Sequence, residues 1–79
     1  MRILDQETDQ SLNNIILYLT SQEAQELRDS LEDVINKPLN NHSHIPSNDF
    51  EKEITVCIYD ENNLKGFNER SINIILNDQ

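Results

Sequence analysis

Residues Leu12 to Lys37 read LNNIILYLTSQEAQELRDSLEDVINK, and the apolar period changes inside this stretch. Ile15, Leu17 and Leu19 alternate with Asn14, Ile16 and Tyr18, which is the period of a strand. Thr20-Ser21-Gln22-Glu23 then has the form of a capping box, in which a hydroxyl and a carboxylate satisfy two backbone N–H groups at a helix start. Beyond it Ala24, Leu27, Leu31, Val34 and Ile35 recur at helical spacing. The expectation is a strand over Leu12 to Leu19 leading into a helix over Ser21 to Lys37, stopped by Pro38. Ile15, Leu17 and Leu19 would face that helix, while Ile16 and Tyr18 would point to the other side of the sheet.

Ahead of this stretch, Arg2 to Asp5 suits a short first strand and Gln6 to Gln10 a polar hairpin loop. After the helix, Asn40-Asn41, Pro46 and Ser47-Asn48-Asp49 are turn formers around His42-Ser43-His44-Ile45, a candidate edge strand. Ile54, Val56 and Ile58 alternate with Thr55, Cys57 and Tyr59, the mark of a half-buried strand ended by Asp60-Glu61-Asn62-Asn63. Near the end, Ile72, Ile74, Ile75 and Leu76 fit either period. Asn68 as N-cap, Phe67 and Ile72 at staple positions and Glu69 in the first turn decide for a short helix. The expected fold class is α+β. It is one domain over residues 1–79, a small antiparallel sheet of three or four strands in the order β-β-α-β(β)-α, with one long helix packed on one face and a short C-terminal helix.

Fifteen acidic against six basic residues give a formal charge of −9. Such a chain is repelled by phosphate backbones and anionic lipid surfaces, so direct nucleic-acid binding and membrane association are not expected. The charge keeps the chain soluble, and it also suits a basic partner. A single cysteine, Cys57, allows no intramolecular disulfide, and the start Met1-Arg2-Ile3-Leu4-Asp5 has no apolar targeting run. Both favour a cytoplasmic location. Abundant Asn and Ile with almost no Ala or Gly is the bias of an AT-rich genome, which points to a bacterium or its phage. So short a chain buries little core, and a homodimer would compensate for that.

Residues with chemical potential are few. Asp5, Glu7 and Asp9 have the spacing that opens an EF-hand loop, but Gln10 stands in place of the turn glycine and Ile16 in place of the closing Glu. His42 and His44 form the most metal-like feature, with Asp49 or Cys57 as a third ligand; the sequence does not fix that ligand, and no metal site or cofactor is assigned. Cys57 in mid-strand reads as a small buried residue rather than a nucleophile. Gly66 is the only glycine, so no phosphate loop exists, and neither G-x-S-x-G nor H-E-x-x-H occurs. No catalytic residue is assigned.

The function expected is therefore that of a small, acidic, non-catalytic protein-interaction or regulatory module. Its partner surface is either the sheet face of Ile16, Tyr18 and Tyr59 or the acidic helix side of Glu26, Asp29 and Asp33. The competing reading is an acidic inhibitor or immunity-type protein that imitates nucleic acid and blocks a basic site. A third is a metal-binding accessory protein built on His42 and His44.

Overall fold

The computed structural model describes residues 1–36, 42–60 and 62–78. It is α+β, with elements in the order β1 (Leu4–Asp5), β2 (Gln10–Ser11), α1 (Ser21–Asn36), β3 (His42–Pro46), β4 (Glu53–Cys57) and α2 (Glu69–Asn77). The chain forms two compact units, Met1–Leu17 with Asp60–Gln79 and Tyr18–Tyr59.

In the first unit β1 and β2 pair antiparallel, with Leu4 opposite Ser11 and Asp5 opposite Gln10. Leu12 N–H donates to the Ile3 carbonyl at 2.8 Å and closes the ladder. The turn is made by Asp5, whose carboxylate accepts the backbone N–H groups of Glu7 and Thr8 at 3.0 and 3.4 Å. Asn68 caps α2 by accepting the Ser71 N–H at 2.8 Å, as the N-cap reading requires. At the other end Asp78 takes a left-handed backbone and donates its N–H to the Ile74 carbonyl. Arg2 Nε donates to the Ile74 and Ile75 carbonyls at 3.0 and 3.1 Å, giving the Ile74 carbonyl a second donor and the Ile75 carbonyl at the helix end a partner from the start of the chain. Ile74 and Ile75 are the buried residues of this helix.

In the second unit the capping box forms. Thr20 N–H donates to Glu23 Oε1 at 2.8 Å and Glu23 N–H to Thr20 Oγ1 at 3.1 Å. Glu23 also accepts the Asn48 N–H through Oε2 at 2.9 Å, tying the helix start to the turn between β3 and β4. These strands form an antiparallel hairpin with Ile45 opposite Ile54 and His42 opposite Cys57, and α1 packs on it, mainly on β3. Val34 and Ile45 are the buried residues here.

Two expectations change. Four strands form two separate two-stranded sheets, not one sheet of three or four. The strand expected over Leu12 to Leu19 is absent: Asn14 to Thr20 have no regular secondary structure, and Ile15 to Leu19 are exposed. Alternation shows only what a strand would look like, and a strand needs a neighbour to take its backbone hydrogen bonds.

The buried stripe of α1 also differs. Leu27 and Val34 point inward with Glu23 and Ser30, whereas Ala24, Leu31 and Ile35 are exposed. A two-stranded hairpin is narrow and covers one line of the helix, so the outer members of an apolar stripe stay in water. The end of the expected helix at Lys37, the stop at Pro38, the Asn40-Asn41 turn and Glu61 lie outside the described residues.

Candidate functional site

The sheet face expected to join Ile16, Tyr18 and Tyr59 does not form, because Ile16 and Tyr18 are in no strand and Tyr59 lies beyond the end of β4. What the structure presents instead is a linear feature. Ile15, Ile16, Leu17, Tyr18 and Leu19 are consecutive and all exposed, Ile16 at 74% and Tyr18 at 90%. No charged residue stands between Gln10 and Gln22, so this stretch is neutral inside a strongly acidic chain. Its composition of Ile, Leu and Tyr suits a strand, and its chain direction alone sets the alternation of side chains. Tyr59 is half-buried.

The acidic helix side is less free than its sequence implies. Glu26 is half-buried and accepts from Gln22 Nε2 at 3.3 Å, and Asp29 takes the Arg28 guanidinium at 3.2 Å. Asp33 is exposed.

Sequence reasoning missed Phe50. Its ring is 82% exposed, and its backbone is held at φ 60°, a region that bulky residues rarely adopt. The turn imposes this. Phe50 N–H donates to the Ser47 carbonyl at 2.9 Å, Ser47 Oγ donates to Asp49, and Glu51 N–H donates to the Asp49 carboxylate at 3.0 Å. The Ser47 hydroxyl, then the Glu51 N–H, hold the Asp49 carboxyl below its usual range. A lone aromatic beside Asn48-Asp49 was the signal available.

The register of the hairpin sorts the remaining polar groups. Ser43, Ile45, Ile54 and Val56 share the face toward α1, and His42, His44, Thr55, Glu53 and Cys57 share the other. On that outer face the His42 and His44 ring centroids are 5.5 Å apart. His44 Nδ1 lies 2.8 Å from Thr55 Oγ1 and 3.1 Å from Glu53 Oε1. Cys57 is not the buried mid-strand residue expected: it ends β4 and is exposed. The partial desolvation of its thiol still pushes its pKa up, which works against a thiolate nucleophile at neutral pH. Among the described residues no group of three or more His, Cys, Asp or Glu side chains is placed so that it could hold a metal ion. In the hairpin turn of β1 and β2, the Asp5 carboxylate is taken up by backbone N–H groups and Asp9 by the Arg70 guanidinium. Among the described residues no helix is long and apolar enough to cross a membrane.

Neither the family models, the curated proteins nor the solved structures contain a match to this chain.

Proposed function

We propose that this chain is a non-catalytic protein-interaction module whose contact element is Ile15–Leu19, offered as an added strand to an unpaired sheet edge of a protein partner. The observation that carries the reading is the exposure of five consecutive large apolar side chains that lie in no strand. Soluble chains seldom leave such a run in water unless something covers it. An extended peptide added to a sheet edge gains main-chain hydrogen bonds for affinity and pockets for alternate side chains for specificity. Neutrality of the stretch lets it approach a partner without like-charge repulsion, while the acidic remainder of the chain favours a partner with basic residues around that edge. The raised Cys57 thiol supports the absence of nucleophilic chemistry, and a free cysteine suits the reducing cytoplasm of a bacterium.

Ile16→Lys and Tyr18→Ala test this. Both side chains are exposed, so each variant should melt like the parent and lose most of its affinity for the partner. Undiminished affinity sinks the proposal. A fall in melting temperature would instead make the segment part of a core. Self-association of the parent that Ile16→Lys abolishes would replace the partner by a second copy. Affinity that survives Ile16→Lys but collapses with added salt would favour the acidic inhibitor reading through Glu26, Asp29 and Asp33.

A further inference from the structure

The turn between β3 and β4 meets the start of α1, and the two enclose a groove of about 440 Å³ lined by Gln22, Glu26, Pro46, Ser47, Asn48 and Phe50. Every lining residue belongs to the unit Tyr18–Tyr59. The walls are tied together, since Asn48 N–H donates to Glu23 Oε2 at 2.9 Å and Asn48 Nδ2 donates to Thr20 Oγ1 at 3.1 Å. Within the turn, Lys52 N–H donates to Ser47 Oγ at 3.0 Å and Ser47 N–H to the Lys52 carbonyl at 2.8 Å. The groove is therefore formed before anything enters it, which lowers the ordering cost of binding.

Phe50 stands out in that lining. A left-handed backbone strains a residue with a bulky side chain, and glycine or asparagine would hold the turn with less strain. With 82% of its surface in water, the ring adds little to the core. A strained aromatic that faces solvent from a braced turn is suited to contact with another molecule. The same groove is lined by Glu26, a half-buried carboxylate that accepts from the Gln22 amide at 3.3 Å. Among the described residues no basic side chain lines the groove, and Asp49 and Glu51 flank Phe50 in the chain. An aromatic face and a carboxylate in acidic surroundings complement the guanidinium of arginine, which is planar, always charged, stacks on rings and donates in a fork to carboxylates.

We propose that this groove receives an arginine side chain of a protein partner, stacked on the Phe50 ring and paired with the Glu26 carboxylate. The inference rests on the reading of the chain as a protein-interaction module with a basic partner, and it adds a contact point separate in sequence from Ile15–Leu19. The groove lies toward the lower end of ligand-site volumes, which suits one long side chain. Lysine is the weaker occupant, because its ammonium is compact, more strongly hydrated and has no plane to stack. At long range the field of a chain of charge −9 draws a cationic partner and repels anions.

The test is a nitrogen-15 NMR titration of the full chain with a glycyl-arginyl-glycine peptide blocked at both ends. The same peptide with citrulline in place of arginine keeps the shape and loses the charge. Saturable shifts are expected at Gln22, Glu26, Asn48 and Phe50, with the citrulline peptide bound about tenfold more weakly. Phe50→Gly should melt no lower than the parent, because it relieves the left-handed backbone, and yet bind the arginine peptide about threefold more weakly. Glu26→Gln should weaken binding by about threefold, and Phe50→Trp should tighten it, since indole is the better partner of a cation. Tyr18→Ala should bind the peptide like the parent, so a failure here and a failure of the Ile15–Leu19 contact are told apart. The proposal is overturned by absence of saturable shifts, by shifts centred on Asp29 and Asp33 instead of the groove, or by equal affinity for the citrulline peptide. It also falls if Phe50→Gly binds like the parent or melts below it, or if free arginine binds more tightly than the blocked peptide, the mark of a small-molecule site.

Discussion

Val34→Ala and Ile35→Ala separate the helix phase seen in the structure from the one that spacing alone suggests. Both residues belong to the apolar stripe of the sequence, yet Val34 is 3% exposed and Ile35 is 64% exposed. Val34→Ala removes two buried carbons at about 0.8 kcal/mol each, and the gap it leaves brings the loss to about 2 kcal/mol. Alanine is the better helix former by roughly 0.5 kcal/mol, so the net cost is about 1.5 kcal/mol. Ile35→Ala removes three carbons of which about a third of the surface was buried, a loss of about 0.8 kcal/mol before the same propensity gain. Its net cost is about 0.3 kcal/mol. Urea unfolding of both variants, followed by far-ultraviolet circular dichroism, gives the two values from midpoints at a common slope. An Ile35→Ala cost equal to or above that of Val34→Ala would refute the packing of α1 on the hairpin. It would restore the wider stripe that includes Leu31 and Ile35.

Two more predictions concern the helix ends. The Thr20 N–H and the Asn48 N–H hold the Glu23 carboxyl below its ordinary 4.5. A carboxyl lowered on folding stabilises the fold above its unfolded pKa and loses that contribution as pH falls through its folded pKa. Glu23→Gln should therefore be less stable than the parent at neutral pH, with the difference shrinking as pH drops below 4.5; melts across a pH series check this, and a constant difference would contradict it. Asn68→Ala removes the acceptor of the Ser71 N–H and should cost about 1 kcal/mol, seen as faster amide exchange in the first turn of α2.

Much of the local architecture was legible in the residues, because its causes act within a few positions. The Thr20/Glu23 box and the Asn68 cap join groups three residues apart, so their side chains and backbone donors meet in any chain that turns there. For the same reason the doubtful C-terminal segment was resolved as a helix by its start rather than by its apolar period. The hairpin around Asp5 and the turn formers after Pro46 follow from short side-chain to backbone bonds.

Tertiary structure alone decided the rest. Whether Asn14 to Leu19 pairs depends on another strand being available, and alternation carries no information about that partner. Which members of the helical stripe are buried depends on the width of the surface beneath it, and a two-stranded hairpin shelters Val34 but not Ile35. The capture of the last carbonyls of α2 by Arg2, and the placing of Cys57 rather than Asp49 across from His42, join residues far apart in the chain. Such contacts are set by the register and docking of whole elements, which no local pattern encodes.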